Sequence, residues 1–85
     1  MKLVTKLYKN TLLIKNCTTE SSDPDIPRAL ADCVEQACTR LDLAEPVWLS
    51  KHTRELSLFR RVKLTPEDFM VPVWFDVCEF EYYLK

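Results

Sequence analysis

The side chains that could carry chemistry are four cysteines, Cys17, Cys33, Cys38 and Cys78, and a single histidine, His52. A cysteine attacks as its thiolate, which needs a base or a positive charge beside it. His52 is the one imidazole available, and nothing in the spacing brings it to a thiol. No two cysteines make a Cys-x-x-Cys pair, and one histidine completes no zinc set of familiar spacing. The bland reading is free thiols buried as small hydrophobes. A thiol or carboxylate enzyme would need a cysteine or glutamate beside His52 in a pocket. Glycine is absent from all 85 residues, which removes glycine-rich phosphate loops, nucleophile elbows and the dinucleotide fingerprint together. The chain reads as non-enzymatic, with no cofactor and no metal.

Charge offers a second kind of chemistry, that of recognition. The formal net charge is −1, so whole-molecule attraction to nucleic acid or an anionic membrane is not indicated. The charges are unevenly placed. Residues 1–17 hold four lysines and no acid, and residues 18–45 hold seven acids and two arginines. Residues 51–63 hold five basic residues and one acid, and residues 64–84 hold five acids and no base. Arg54, Arg60, Arg61 and Lys63, with Trp48 and Phe59 nearby, could bind single-stranded nucleic acid by phosphate contact and stacking. Glu79 and Glu81, with Asp76, Glu67 and Asp68, could form an acidic patch that meets a basic partner. Tyr83, adjacent to Tyr82 and therefore on the opposite face of a strand, could be an exposed contact residue. The plainer alternative is that basic and acidic strands lie side by side and partly cancel. His52 reads as a surface residue in a polar turn.

These side chains must be placed by a short list of elements. Ile26, Leu30, Cys33, Val34, Ala37, Cys38 and Leu41 recur at helical spacing, so the sequence predicts an amphipathic helix over Ile26 to Leu41. Asp25 is positioned to cap its start and Pro27 falls in its first turn. Ahead of it, Lys2 to Tyr8 and Thr11 to Asn16 alternate as strands joined at Lys9-Asn10, and Thr18 to Asp25 reads as a loop. After it, Val47 to Leu49 reads as a brief strand and Leu56 to Leu64 as another, separated by a polar turn over Ser50 to Arg54. Thr65 to Phe69 has a Thr cap, an early Pro and acids, which predicts one helical turn before Pro72, with Phe69 and Met70 in the core. Val73 to Leu84 is the clearest strand, with Cys78, Phe80, Tyr82 and Leu84 on one face.

The expected order is ββαβββ, a single α+β domain over residues 1–85, largely one antiparallel sheet with one helix across one face. Hydrophobic content of 47% and charged content of 29% suit a globular chain rather than a disordered one. No stretch approaches the roughly 20 apolar residues of a membrane span, and the first residues lack the pattern of a secretory signal. The expected location is the cytoplasm, where free thiols persist.

The stretch PVWLSKHTRELSLFRRVKLTPEDFMVPVWFDVCEFEY resembles the C-terminal half of short uncharacterised bacterial proteins. The matching positions are Trp48, Phe59-Arg60-Arg61, Asp68-Phe69 and Phe75-Asp76, about half of the chain. The resemblance carries no functional residue across. Proteins of that kind are frequent in phages and other mobile elements, which implies an interaction role. The expected function is a protein-interaction module, an inhibitor or accessory factor, with a protein partner or a second copy bound through Arg54, Arg60, Arg61, Lys63, Glu79, Glu81 and Tyr83. The alternative is a small nucleic-acid binder using the basic 51–63 segment. No membrane association and no small-molecule substrate are indicated.

Overall fold

A computed structural model describes residues Met1–Leu84. Its first element is a hairpin of β1 (Lys2–Lys9) and β2 (Leu12–Glu20), turned by Asn10 and Thr11, both with positive φ. Leu3, Thr5 and Leu7 point into the core while Lys2, Val4, Lys6 and Tyr8 alternate to the other face. β2 runs four residues beyond the expected end at Asn16 and takes in part of the segment predicted as a loop. What holds that extension is pairing of Thr18, Thr19 and Glu20 with Val4, Leu3 and Lys2.

The predicted helix is present with the same bounds, α1 (Ile26–Leu41). Asp25 caps it by accepting the Arg28 N–H at 3.2 Å. Ala29, Cys33, Ala37, Cys38 and Leu41 are buried, while Leu30 and Val34 pack half-buried against the core and Ile26 stays exposed. The apolar stripe is therefore wider than the sheet beneath it needs. With no glycine available, Asp42 takes the left-handed position at the helix end, φ 55°.

The middle of the chain departs from expectation. Val47–Leu49 is an extended connection rather than a strand, pinned by the Val47 N–H donating to the Asp68 carbonyl at 2.7 Å. The polar turn expected over Ser50 to Arg54 and the first part of the strand expected over Leu56 to Leu64 are together a second helix, α2 (Ser50–Phe59), and only the end of that expected strand is one, the four-residue β3 (Arg61–Leu64). Arg60 stands at the break in the left-handed region, φ 59°. His52 and Leu56, one turn apart, are the buried line of α2. A single 3₁₀ turn (Pro66–Asp68) follows as predicted. Phe69 is buried but Met70 is 86% exposed, contrary to expectation. The last strand, β4 (Val77–Tyr83), begins four residues later than predicted, with Cys78 and Phe80 buried and Glu79 and Glu81 on the other face.

Among the described residues, four strands form one antiparallel sheet in the order β2-β1-β4-β3. The order along the chain is ββααββ, not ββαβββ. Both helices lie on one side, α1 on β2 and β1, α2 on β3. Leu3, Leu7, Cys33, Leu56, Val62, Leu64, Phe75 and Phe80 fill the layer between. Among the described residues, no helix is long and apolar enough to cross a membrane.

Candidate functional site

The open face of the sheet receives five of the seven residues singled out from the sequence. Arg61 and Lys63 stand on β3, and Glu79, Glu81 and Tyr83 on β4. The strand register sets Arg61 opposite Glu81 and Lys63 opposite Glu79, and Lys6 of β1 lies opposite Glu79 from the other side. Arg61 Nη2 reaches Glu81 Oε2 at 3.3 Å. An acidic strand thus lies between two basic ones, and the signs cancel locally. Hydrogen bonding to Glu81 pushes the Tyr83 phenol above its ordinary range. The other two residues sit elsewhere. Arg54 is exposed on α2, on the side away from the buried His52 and Leu56, and Arg60 forms the cap that ends α2. The four basic residues therefore do not converge on one patch.

His52 is not the surface residue that a polar turn implied. It is 1% exposed. Its Nδ1 accepts the Leu49 N–H at 3.0 Å, which assigns its proton to Nε2, 3.4 Å from Asp68 Oδ1. Asp68 Oδ2 in turn accepts the Thr65 N–H at 2.9 Å. Each of these side chains reaches back to the N-cap amide of its own helix, one half of a capping box. Together they tie the starts of α2 and the 3₁₀ turn to each other. The Trp48 ring leans on His52 with centroids 5.5 Å apart. Nδ1 is thus engaged by a hydrogen bond within the fold, and Nε2 faces the Asp68 carboxylate.

The thiols are held neutral. Burial pushes Cys78 up to about 12 and Cys38 up to about 11. Burial also raises Cys17 and Cys33, with Arg40 opposing it at Cys17 and a Thr19 hydrogen bond opposing it at Cys33. These are the properties of packing cysteines rather than of poised nucleophiles. Among the described residues, no three metal-ligating side chains come together.

The surface that stands out was not singled out from the sequence. It is the tip of the β1–β2 hairpin. Leu12, Leu13 and Ile14, consecutive in β2, are 64%, 47% and 49% exposed. The register slips between Leu7 and Tyr8, so Ile14 is an extra residue, a bulge that leaves the tip twisted. Asn10 and Thr11 turn the chain at φ 53° and 65°; for Thr11, a β-branched residue, that is strained backbone. The strained turn is held from outside. Asn10 N–H donates to Asp76 Oδ2 at 2.7 Å, Lys9 Nζ to the Trp74 carbonyl at 2.9 Å, and Asp76 N–H to the Tyr8 carbonyl at 2.8 Å. Lys15 Nζ lies 5.7 Å from the centroid of the Trp74 ring, within reach of a cation–π contact. The other end of β2 is closed instead: Arg40 Nη1 donates to the Thr18 carbonyl at 2.8 Å and Gln36 Nε2 to the Glu20 carbonyl at 3.0 Å. The sheet edge is therefore blunted at one end and presents three apolar side chains beside lysines at the other. Three large apolar residues in a row, against the alternation of the rest of the hairpin, were the available signal. No protein-family model matches the chain, and no curated protein or solved structure matches it.

Proposed function

We propose that this protein is a non-enzymatic protein-interaction module, of the kind an inhibitor or accessory factor from a phage or other mobile element would be. In this reading it docks through the β1–β2 tip. The observation that carries it is the exposure of Leu12, Leu13 and Ile14 on a turn fixed by Asp76 and Trp74. A small domain gains nothing in stability from three apolar side chains in water, and a rigid apolar projection loses little entropy on binding. Lys9 and Lys15 flank the tip, so the matching partner surface is an apolar depression with an acidic rim.

The test is affinity purification of the tagged chain from its host beside a Leu12→Ser/Ile14→Ser variant. The wild type should retain a stoichiometric protein that the variant does not, while both show the same circular dichroism and melting temperature. A partner retained equally by the variant, or no partner at all, would contradict the reading. The nucleic-acid alternative draws less support from the geometry, because Arg61 is paired with Glu81 and Arg54 lies on the helical layer. Salt-sensitive binding of labelled single-stranded oligonucleotides, weakened by Arg60→Ala/Arg61→Ala, would restore it.

A further inference from the structure

The sheet has two edges, and they are finished differently. Along an antiparallel strand the backbone N–H and C=O of successive residues turn alternately to one side and the other. On β2 the outward carbonyls of Thr18 and Glu20 are taken by Arg40 Nη1 at 2.8 Å and Gln36 Nε2 at 3.0 Å. The opposite edge is β3. It pairs with β4 in the register Val62 to Phe80 and Leu64 to Cys78, and the Arg60 carbonyl accepts the Tyr82 N–H at 3.0 Å. That parity turns the backbone of Arg60, Val62 and Leu64 towards β4 and aims the backbone of Arg61 and Lys63 outward. The next outward amide, that of Thr65, donates to Asp68 Oδ2 at 2.9 Å. Among the described residues, nothing takes the outward N–H and C=O groups of Arg61 and Lys63.

Open backbone at a sheet edge can accept an added strand, whose main chain supplies the hydrogen bonds and whose alternate side chains supply specificity. The neighbouring side chains select the strand. Charges already alternate across the open face, from Lys6 of β1 to Glu79 of β4 to Lys63 of β3. Opposite charges on adjacent strands attract and like charges repel, so the next strand in the series is acidic where it faces Arg61 and Lys63. Arg61 has Glu81 on its inner side and stays largely open to solvent. Lys63 is exposed and makes no ion pair among the described residues. The helical side of the same edge differs. A notch there is lined by Glu55 and by the exposed ring of Phe59, beside Val62. The residue between the two acids turns into this notch and is apolar, because Phe59 offers it a ring and Glu55 repels a further carboxylate. A second copy pairing through its own β3 would set basic residues against basic residues. Short cationic edges deter indiscriminate pairing, and the charges that refuse a basic strand admit an acidic one.

We infer that the β3 edge is a docking site for an extended acidic segment of another protein, added to the sheet as a further strand. Its pattern is acid, apolar, acid, with the acids opposite Arg61 and Lys63 and the apolar residue against Phe59. This is independent of the docking tip, which lies on the β1–β2 hairpin at the other side of the sheet.

The test uses the whole chain and three end-capped peptides followed by ¹H–¹⁵N NMR and amide exchange. They are Thr-Val-Glu-Val-Glu-Val-Thr, its counterpart with lysine for glutamate, and the acidic peptide with both glutamate nitrogens methylated. In the free protein the amides of Arg61 and Lys63 should exchange fast and those of Val62 and Leu64 slowly. The acidic peptide should bind saturably, shift Phe59, and slow exchange at Arg61 and Lys63 without altering Glu79 or Glu81. The lysine peptide should bind at least about tenfold more weakly, and the methylated peptide should not bind. Lys63→Pro removes an N–H that points away from β4, so the variant should keep its fold and lose the acidic peptide. Lys63→Gln, which keeps that N–H, should only weaken it. Leu12→Ser/Ile14→Ser should leave peptide binding unchanged, which separates this edge from the tip. Equal affinity for the acidic and basic peptides, binding that survives methylation, or no slowed exchange at Arg61 and Lys63 would each overturn the inference. Protection of these amides that grows with protein concentration alone would give the edge to a second copy and overturn it. Protection by a single-stranded oligonucleotide, with no peptide bound, would overturn it equally.

Discussion

Replacing His52 by alanine should cost about 2–4 kcal/mol, since it opens a cavity and leaves the Leu49 amide without its acceptor. Urea unfolding of the variant checks this, and Asp68→Asn should cost less because an amide oxygen can still accept from Thr65. Thr5 makes the opposite case. Its hydroxyl is buried with no partner among the described residues, so Thr5→Val should leave stability unchanged or raise it by up to about 1 kcal/mol. The cysteines give a pH dependence whose sign follows from burial. Their native pKa values stand above the ordinary value of 9.0, about 11 for Cys38 and about 12 for Cys78. The native state therefore keeps protons that the unfolded chain releases. That contribution is complete below pH 9 and is lost as pH rises from 9 towards 12. The urea midpoint, measured with reductant present, should fall as pH rises from 9 to 11, and less steeply in Cys38→Ala. At this scale the sequence made the thiols legible as buried hydrophobes, because Cys33 and Cys38 fell on the helical stripe. It did not reveal His52. A histidine among Ser, Lys, Thr and Arg looks solvated, and only its spacing from Leu56 by one turn marks it as inward-facing.

Elements were legible where periodicity and end signals agreed. α1 had its stripe, its Asp25 cap and Pro27, and its bounds came out as read. The 3₁₀ turn had Thr65, Pro66 and acids, and it also formed. α2 was hidden because Leu56, Leu58, Arg60, Val62 and Leu64 alternate without a break, a strand-like period that runs across a helix and into β3. Its start carries no Ser, Thr, Asp or Asn cap: Leu49 occupies that position, and the His52 side chain supplies the acceptor. The break between α2 and β3 has no glycine to announce it, and Arg60 takes the left-handed conformation instead. Such positions hold stability in reserve. Thr11→Gly in the hairpin turn, φ 65°, should raise stability by about 0.5–1 kcal/mol, because glycine adopts this conformation without steric cost. A lowered melting temperature for Thr11→Gly would mean that the turn is not strained.

Across the whole molecule, the uneven charge of the sequence is resolved by strand order rather than by a patch of one sign. Basic β3, acidic β4 and basic β1 lie in succession. The Arg61–Glu81 pair is largely open to solvent on its arginine side, so Arg61→Ala should change stability by less than about 1 kcal/mol in urea unfolding. That arrangement was foreseeable only in outline, since which strands become neighbours depends on pairing that single-strand patterns do not encode. The hairpin tip was foreseeable in part. A hairpin was read there, though its turn falls at Asn10-Thr11 rather than Lys9-Asn10 and β2 runs on to Glu20, and whether Leu12, Leu13 and Ile14 would be covered depended on how the helices cross the sheet. The central claim is that this projecting tip, rather than the charged open face, meets the partner. Hydrogen–deuterium exchange of the chain with and without its captured partner tests it most directly. The account predicts slowed exchange at amides of Leu12–Lys15 and of the 74–76 segment beneath them. Slowed exchange over Arg61–Lys63 and Glu79–Glu81, with the tip unchanged, would contradict it.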